Sequence, residues 1–154
     1  MTDRLLRTTW LAALGCLCCF ACEEQQDDER PDTVTRAFIE RMQAVHGDPK
    51  AARRAYDLLW DEGRNNLAER AKRASAVSGA KVAPEEMLAP SRFWLGFQPR
   101  QYDAKTEGEW AVVTVTGETT STQRREVRCV QEDGRWRVVF ELPPLPPIQT
   151  RTRK

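Results

Sequence analysis

The chain has 154 residues, enough for one domain with tails, and sets 24 Lys+Arg against 23 Asp+Glu for a formal net charge of +1. That balance argues against a nucleic-acid partner, since such binders carry a basic excess or stripe that neutralises phosphates. A charged fraction of 31% and a mean hydropathy of −0.63 exclude a polytopic membrane protein, and a single histidine excludes a multi-histidine metal centre.

Residues 1–7 carry Arg4 and Arg7 against Asp3, and residues 8–21 run uncharged through Trp10, Leu11, Leu14, Leu17 and Phe20. This is a positive n-region followed by an h-region of signal-peptide length. It falls short of the roughly 20 apolar residues that a spanning helix needs. Four of the five cysteines, Cys16, Cys18, Cys19 and Cys22, crowd into this segment. A disulfide framework would spread them through the folded part. Leu17, Phe20 and Ala21 between them offer nothing polar to orient zinc ligands. Gly15-Cys16 and Ala21-Cys22 resemble the cleavage site of bacterial lipoprotein signal peptides, in which a small residue precedes the cysteine that receives the lipid.

Cys16 has the better upstream residues, Ala13 and Leu14, whereas Cys22 gives a longer h-region and a mature chain that is polar from its start. Cys22 is the preferred lipidation site, with Cys16 as the alternative. A plain secretory signal with incidental cysteines is the simpler reading. The resemblance implies that residues 1–21 are a signal peptide and that a lipid anchors the protein to a membrane of the bacterial cell envelope, on its periplasmic or surface side. Residues 22–30 then form an acidic flexible tether, since Glu23, Glu24, Asp27, Asp28 and Glu29 leave no apolar area to bury. Residues 149–154 form a basic tail with Arg151, Arg153 and Lys154. Its three charges would contribute about 1 kcal/mol each near anionic headgroups.

The folded part, residues 31–148, reads as helices first and strands second. Pro31, Asp32 and Thr33 open a helix capped by Asp32 or Thr33, with Val34, Phe38, Met42 and Val45 as its apolar stripe and Ile39 widening it. Gly47 suits a left-handed C′ position and Pro49 cannot continue the helix. Asp48 caps a second helix with Pro49 at its first position and Ala52, Ala55, Tyr56, Leu59 and Trp60 inward. A third helix spans residues 62–75, with Leu67, Ala71 and Ala74 inward, and stops at Ser78-Gly79-Ala80. One more helical turn fits residues 84–88, and Ala89-Pro90-Ser91 breaks it.

From Phe97 the period changes from 3.6 to 2. Strands are predicted over residues 101–105, 110–116, 124–131 and 135–142, with a turn at Glu107-Gly108. Asp133-Gly134 is a strong two-residue hairpin signal, because both residues tolerate positive φ. That loop pairs Glu132 with Arg135, Gln131 with Trp136, Cys129 with Val138 and Val127 with Phe140. The same register puts Val127, Cys129, Trp136, Val138, Phe140 and Leu142 on one face, so turn chemistry and apolar alternation agree. Trp136 and Phe140 are expected core anchors. Residues 143–147, Pro-Pro-Leu-Pro-Pro, should lie in polyproline II, either as a strap over the sheet end or as a ligand for an aromatic groove.

Helices followed by an antiparallel sheet of about four strands define an α+β domain. The opening run Pro31 to Asp48 with Ala55-Tyr56-Asp57-Leu58-Leu59, and the closing run Val127 to Val139, resemble proteins of the nuclear-transport-factor-2-like family. The resemblance implies a sheet curled around the first helix and a conical cavity. Residues 62–96 are longer than the family pattern and read as a helical insert beside that cavity.

Isomerases and dehydratases of this fold use a carboxylate, a Tyr donor or a His–Asp pair inside the cone. His46 sits at the surface end of its helix. Asp57 points about 100° away from Tyr56, and Asp103 alternates with Tyr102 on a strand. Cys129 reads as a buried small hydrophobe. Phe93, Trp94 and Phe97, between the insert and the sheet, are the candidate binding surface, with core packing as the competing use. The expected function is a lipid-anchored envelope module that binds an envelope protein or an apolar ligand without catalysis. The alternative is a small-molecule isomerase or dehydratase. No sequence motif calls for a cofactor or a metal.

Overall fold

A computed structural model describes residues 29–147. The expected signal segment with Cys16 and Cys22, nearly all of the expected tether, and the 149–154 tail lie outside the described residues. The order is three α-helices, α1 (Pro31–Ala44), α2 (Pro49–Asp57) and α3 (Asp61–Ser78), two 3₁₀ turns (Pro84–Met87 and Pro90–Phe93), and four strands. The strands are β1 (Gln101–Glu107), β2 (Trp110–Thr116), β3 (Arg124–Glu132) and β4 (Arg135–Val138), which form one antiparallel meander in chain order. The α+β class with a four-stranded antiparallel sheet is as expected. None of the described helices is long and apolar enough to cross a membrane.

The helices start where their chemistry allows. In α1 the first residue is Pro31, whose fixed φ suits that position and whose missing N–H costs nothing there. Asp32 therefore falls inside the first turn instead of capping it, and Arg30 pairs with it at 3.0 Å. Gly47 does not adopt the left-handed conformation. The helix closes instead through the Gly47 and Asp48 amides, which both donate to the Ala44 carbonyl at 3.1 Å. Asp48 caps α2 as expected, its Oδ1 accepting from the Lys50 amide at 2.8 Å. Helix α3 runs longer than the predicted 62–75 and ends at Gly79, with φ +72°.

The end of α2 is set by a distant partner. Helix α2 stops at Asp57 because Leu58, Leu59 and Trp60 turn to the free edge of β4. The Val138 amide donates to the Leu58 carbonyl at 2.9 Å, and the Trp60 amide donates to the Val138 carbonyl at 3.1 Å. This short parallel bridge covers an edge that would otherwise be open. The Glu132 carboxylate accepts from the Asp61 amide at 3.0 and 3.1 Å, placing negative charge at the start of α3.

The hairpin register is the predicted one, with Cys129 opposite Val138, Gln131 opposite Trp136 and Glu132 opposite Arg135. Asp133 and Gly134 both have positive φ, 51° and 77°. β4 ends at Val138, short of residue 142, yet Phe140 continues inward and is buried. Helix α1 lies across the sheet and contacts all four strands. Val34, Phe38 and Ile39 of α1 meet Val113, Val115, Val127, Cys129 and Val138 of the sheet in one buried cluster. The space between first helix and sheet is therefore filled with side chains.

Candidate functional site

The predicted insert is only partly helical. After α3, residues 79–83 are irregular, and the two 3₁₀ turns carry the chain back to α1. The second turn delivers Phe93 into the core, edge-to-face on Phe38 with ring centroids 4.9 Å apart and 6.3 Å from Phe140. Gly96 then takes φ +78°, which a side chain would resist. The bend leaves the Trp94 indole over Gly96, where an added Cβ would meet Trp94 Nε1 at 3.7 Å. The Trp94 carbonyl accepts from Arg125 Nη1 at 3.3 Å, tying the segment to β3. Trp94 is 73% exposed.

Between this segment and the second half of α1 runs an open groove of about 870 Å³. Ile39, Met42, Phe93, Leu95 and Phe97 supply its apolar walls, and Trp94 stands at its rim. Gln43, His46, Ser91 and Gln98 supply polar atoms. Among the described lining residues there is no carboxylate, lysine or arginine. The volume lies within the range of small-molecule sites, which are mostly apolar with a few polar groups.

The three candidate aromatics thus meet in one place and play different parts. Phe93 anchors the segment in the core, Trp94 is free to contact a ligand, and Phe97 is half-buried against Gly117. The sequence reading missed Ile39 and Met42 as groove wall. Their stripe spacing marked them as core, which they also are, at 2% and 3% exposed.

Neither Tyr pairs with an inward acid. Tyr56 donates to the Arg64 carbonyl at 3.4 Å and lies beside Arg53, whereas Asp57 points out to Arg53 at 3.3 Å. Burial raises the Tyr56 pKa above its ordinary value, opposed by Arg64 and Arg53. Tyr102 lies under the Arg36 guanidinium at 4.9 Å. Burial first, then the Glu40 carboxylate, push its pKa up against Arg36. Asp103 is exposed and bonded to Gln101. His46 is exposed at the groove's edge. The buried polar side chains among the described residues are Thr35, fully enclosed, and Thr116.

Cys129 is fully buried, and burial raises its thiol pKa to about 11 against a hydrogen bond with Thr35 that lowers it. Thr35 Oγ1 donates to the Pro31 carbonyl at 2.7 Å and lies 3.3 Å from Cys129 Sγ. Such a thiol lacks both the lowered pKa and the access of a nucleophile. Among the described residues no cluster of His, Cys, Asp and Glu could hold a metal ion. Comparison with family models, characterised proteins and solved structures yields no match to this chain.

Proposed function

We propose that this protein is a lipid-anchored binding module of the bacterial cell envelope, which takes an apolar ligand, or an apolar side-chain cluster of an envelope protein, into the groove between α1 and residues 90–98 without turning it over. The anchor is at Cys22, or at Cys16, and residues 22–30 serve as its tether. In this reading the domain is a nuclear-transport-factor-2-like cone whose interior is filled, so that recognition has moved to its rim. Helix α1 crossing all four strands and the Ala55-Tyr56 helix beside it support that layout.

One observation carries the binding role: a large aromatic side chain, Trp94, is 73% exposed on the rim of an apolar groove whose floor is core and whose described lining has no carboxylate, lysine or arginine. Exposed aromatics over preformed pockets are the usual energetic centres of recognition. Anilinonaphthalenesulfonate is a suitable probe. It should bind saturably to the folded chain, and Trp94→Ala should weaken it about tenfold or more with melting unchanged. A large drop in melting with probe binding intact would assign Trp94 to the core and remove the proposal's main support.

A further inference from the structure

The proline-rich tail is seated on α3 by a repeating contact. Leu142 and Leu145 are half-buried, whereas Pro143, Pro144, Pro146 and Pro147 are exposed. An inward residue at every third position matches the three residues per turn of polyproline II, whose carbonyls have no internal partner. Arg70 Nη2 donates to the Pro143 carbonyl at 2.5 Å, and Arg73 Nη1 donates to the Pro146 carbonyl at 2.5 Å. The two donors stand three residues apart on one face of α3, and the two acceptors stand three residues apart on the tail. Each guanidinium is braced by the residue four before it. Arg70 Nε donates to Asn66 Oδ1 at 2.7 Å, and Arg73 Nε donates to Glu69 Oε1 at 3.2 Å. Met87 and Ala89 complete a groove of about 410 Å³ against the two leucines.

We propose that this face of α3 is a receptor for polyproline II segments with an apolar residue at every third position, and that residues 142–147 occupy it as a displaceable internal ligand. The partner it fits is a proline-rich protein segment of the Leu-Pro-Pro-Leu-Pro-Pro kind. The apolar positions form one wall of the groove opposite Met87 and Ala89, and the arginine pair reads one backbone carbonyl per turn. Recognition through carbonyls leaves the exposed prolines as spacers that preset the conformation at low entropic cost. Neither the lipid anchor nor the α1 groove is needed for this second site.

The test uses the full chain and a fluorescein-labelled peptide of residues 141–147, followed by anisotropy. Leu145→Lys sets a cation beside Arg70 and Arg73 and should release the tail, and Leu142→Ser/Leu145→Ser should release it without added charge. Both variants should bind the peptide saturably. The wild type should bind at least several-fold more weakly, since the tethered tail competes at an effective concentration of about 1 mM. Adding Arg70→Ala/Arg73→Ala should weaken binding at least about tenfold, as for paired anchor residues. A concentration-dependent wild-type dimer that Leu145→Lys abolishes would also support the receptor, filled then by a second copy's tail. Absence of binding to cooperatively melting released variants overturns the proposal. So does equal binding to wild type and variants, or binding insensitive to the arginines. If neither variant melts cooperatively, millimolar peptide on the wild type decides: saturable, arginine-dependent binding supports the receptor, and its absence overturns it.

Discussion

Replacing Phe140 by Ala probes the junction where the sheet ends and the aromatic core begins. Phe140 is 5% exposed and lies with ring centroids 6.3 Å from both Phe38 and Phe93. Removing the ring forfeits about 2 kcal/mol of transfer free energy. If about half of a ring volume of about 100 Å³ persists as a cavity, that adds roughly 1.2 kcal/mol. Loss of two tilted ring contacts adds about 1 kcal/mol. The expected destabilisation is therefore about 4 kcal/mol, within the usual range for a buried Phe→Ala change. Urea unfolding followed by tryptophan fluorescence and circular dichroism should show the midpoint falling by about 2 M for a slope of about 2 kcal/mol/M. The residue lies beyond the last ladder pair of β4, so the result tests whether inward alternation outlasts the strand. A loss below about 1 kcal/mol, typical of surface positions, would refute the packing described for this junction.

The Cys129 thiol, raised to about 11, should resist Ellman's reagent at pH 8 in the native state and react on unfolding, in a chain whose other four cysteines are serine. Because the folded state holds this proton more tightly, stability is full below about pH 9 and should fall by up to about 1.4 kcal/mol per pH unit as pH rises toward about 11. Cys129→Ala should flatten that decline, and an unchanged slope would contradict it. Gly117→Ala places a Cβ 2.8 Å from Phe97 Cδ2 and against Gln123, so it should cost about 1–3 kcal/mol and loosen the groove's far wall, read by melting and probe affinity. Palmitate-analogue labelling should mark the wild type, and the Cys22→Ser/Cys16→Ser double variant should lose both label and membrane retention. Retention of both would end the lipid-anchor proposal.

Local chemistry made most of the fold legible. Asp48-Pro49 named a helix start because the cap and the fixed φ act within three residues. Asp133-Gly134 named a register because turn type and side-chain alternation must agree. What escaped was non-local. Leu58 to Trp60 read as the end of a helical stripe, and only the bare edge of β4, some 80 residues on, explains why they extend. Ile39 and Met42 serve two surfaces at once, which no periodicity distinguishes from a single buried face. The Phe93, Trp94 and Phe97 group was visible as composition. Its division into anchor, rim and wall depends on the Gly96 bend and on Phe38 lying opposite. The match of Arg70 and Arg73 to Pro143 and Pro146 had a signal in the sequence, two spacings of three, but nothing local that joined them.

The claim that the groove beside α1 is a binding site is tested most directly by amide and indole chemical-shift mapping of the labelled chain during titration with anilinonaphthalenesulfonate. The expected outcome is a saturable set of shifts at Met42, His46, the Trp94 indole and Gly96, with β1 and the outer face of β3 unmoved. Shifts centred on the exposed Trp110 and Val112 of the outer sheet face, or no saturable shifts at the groove, would contradict it.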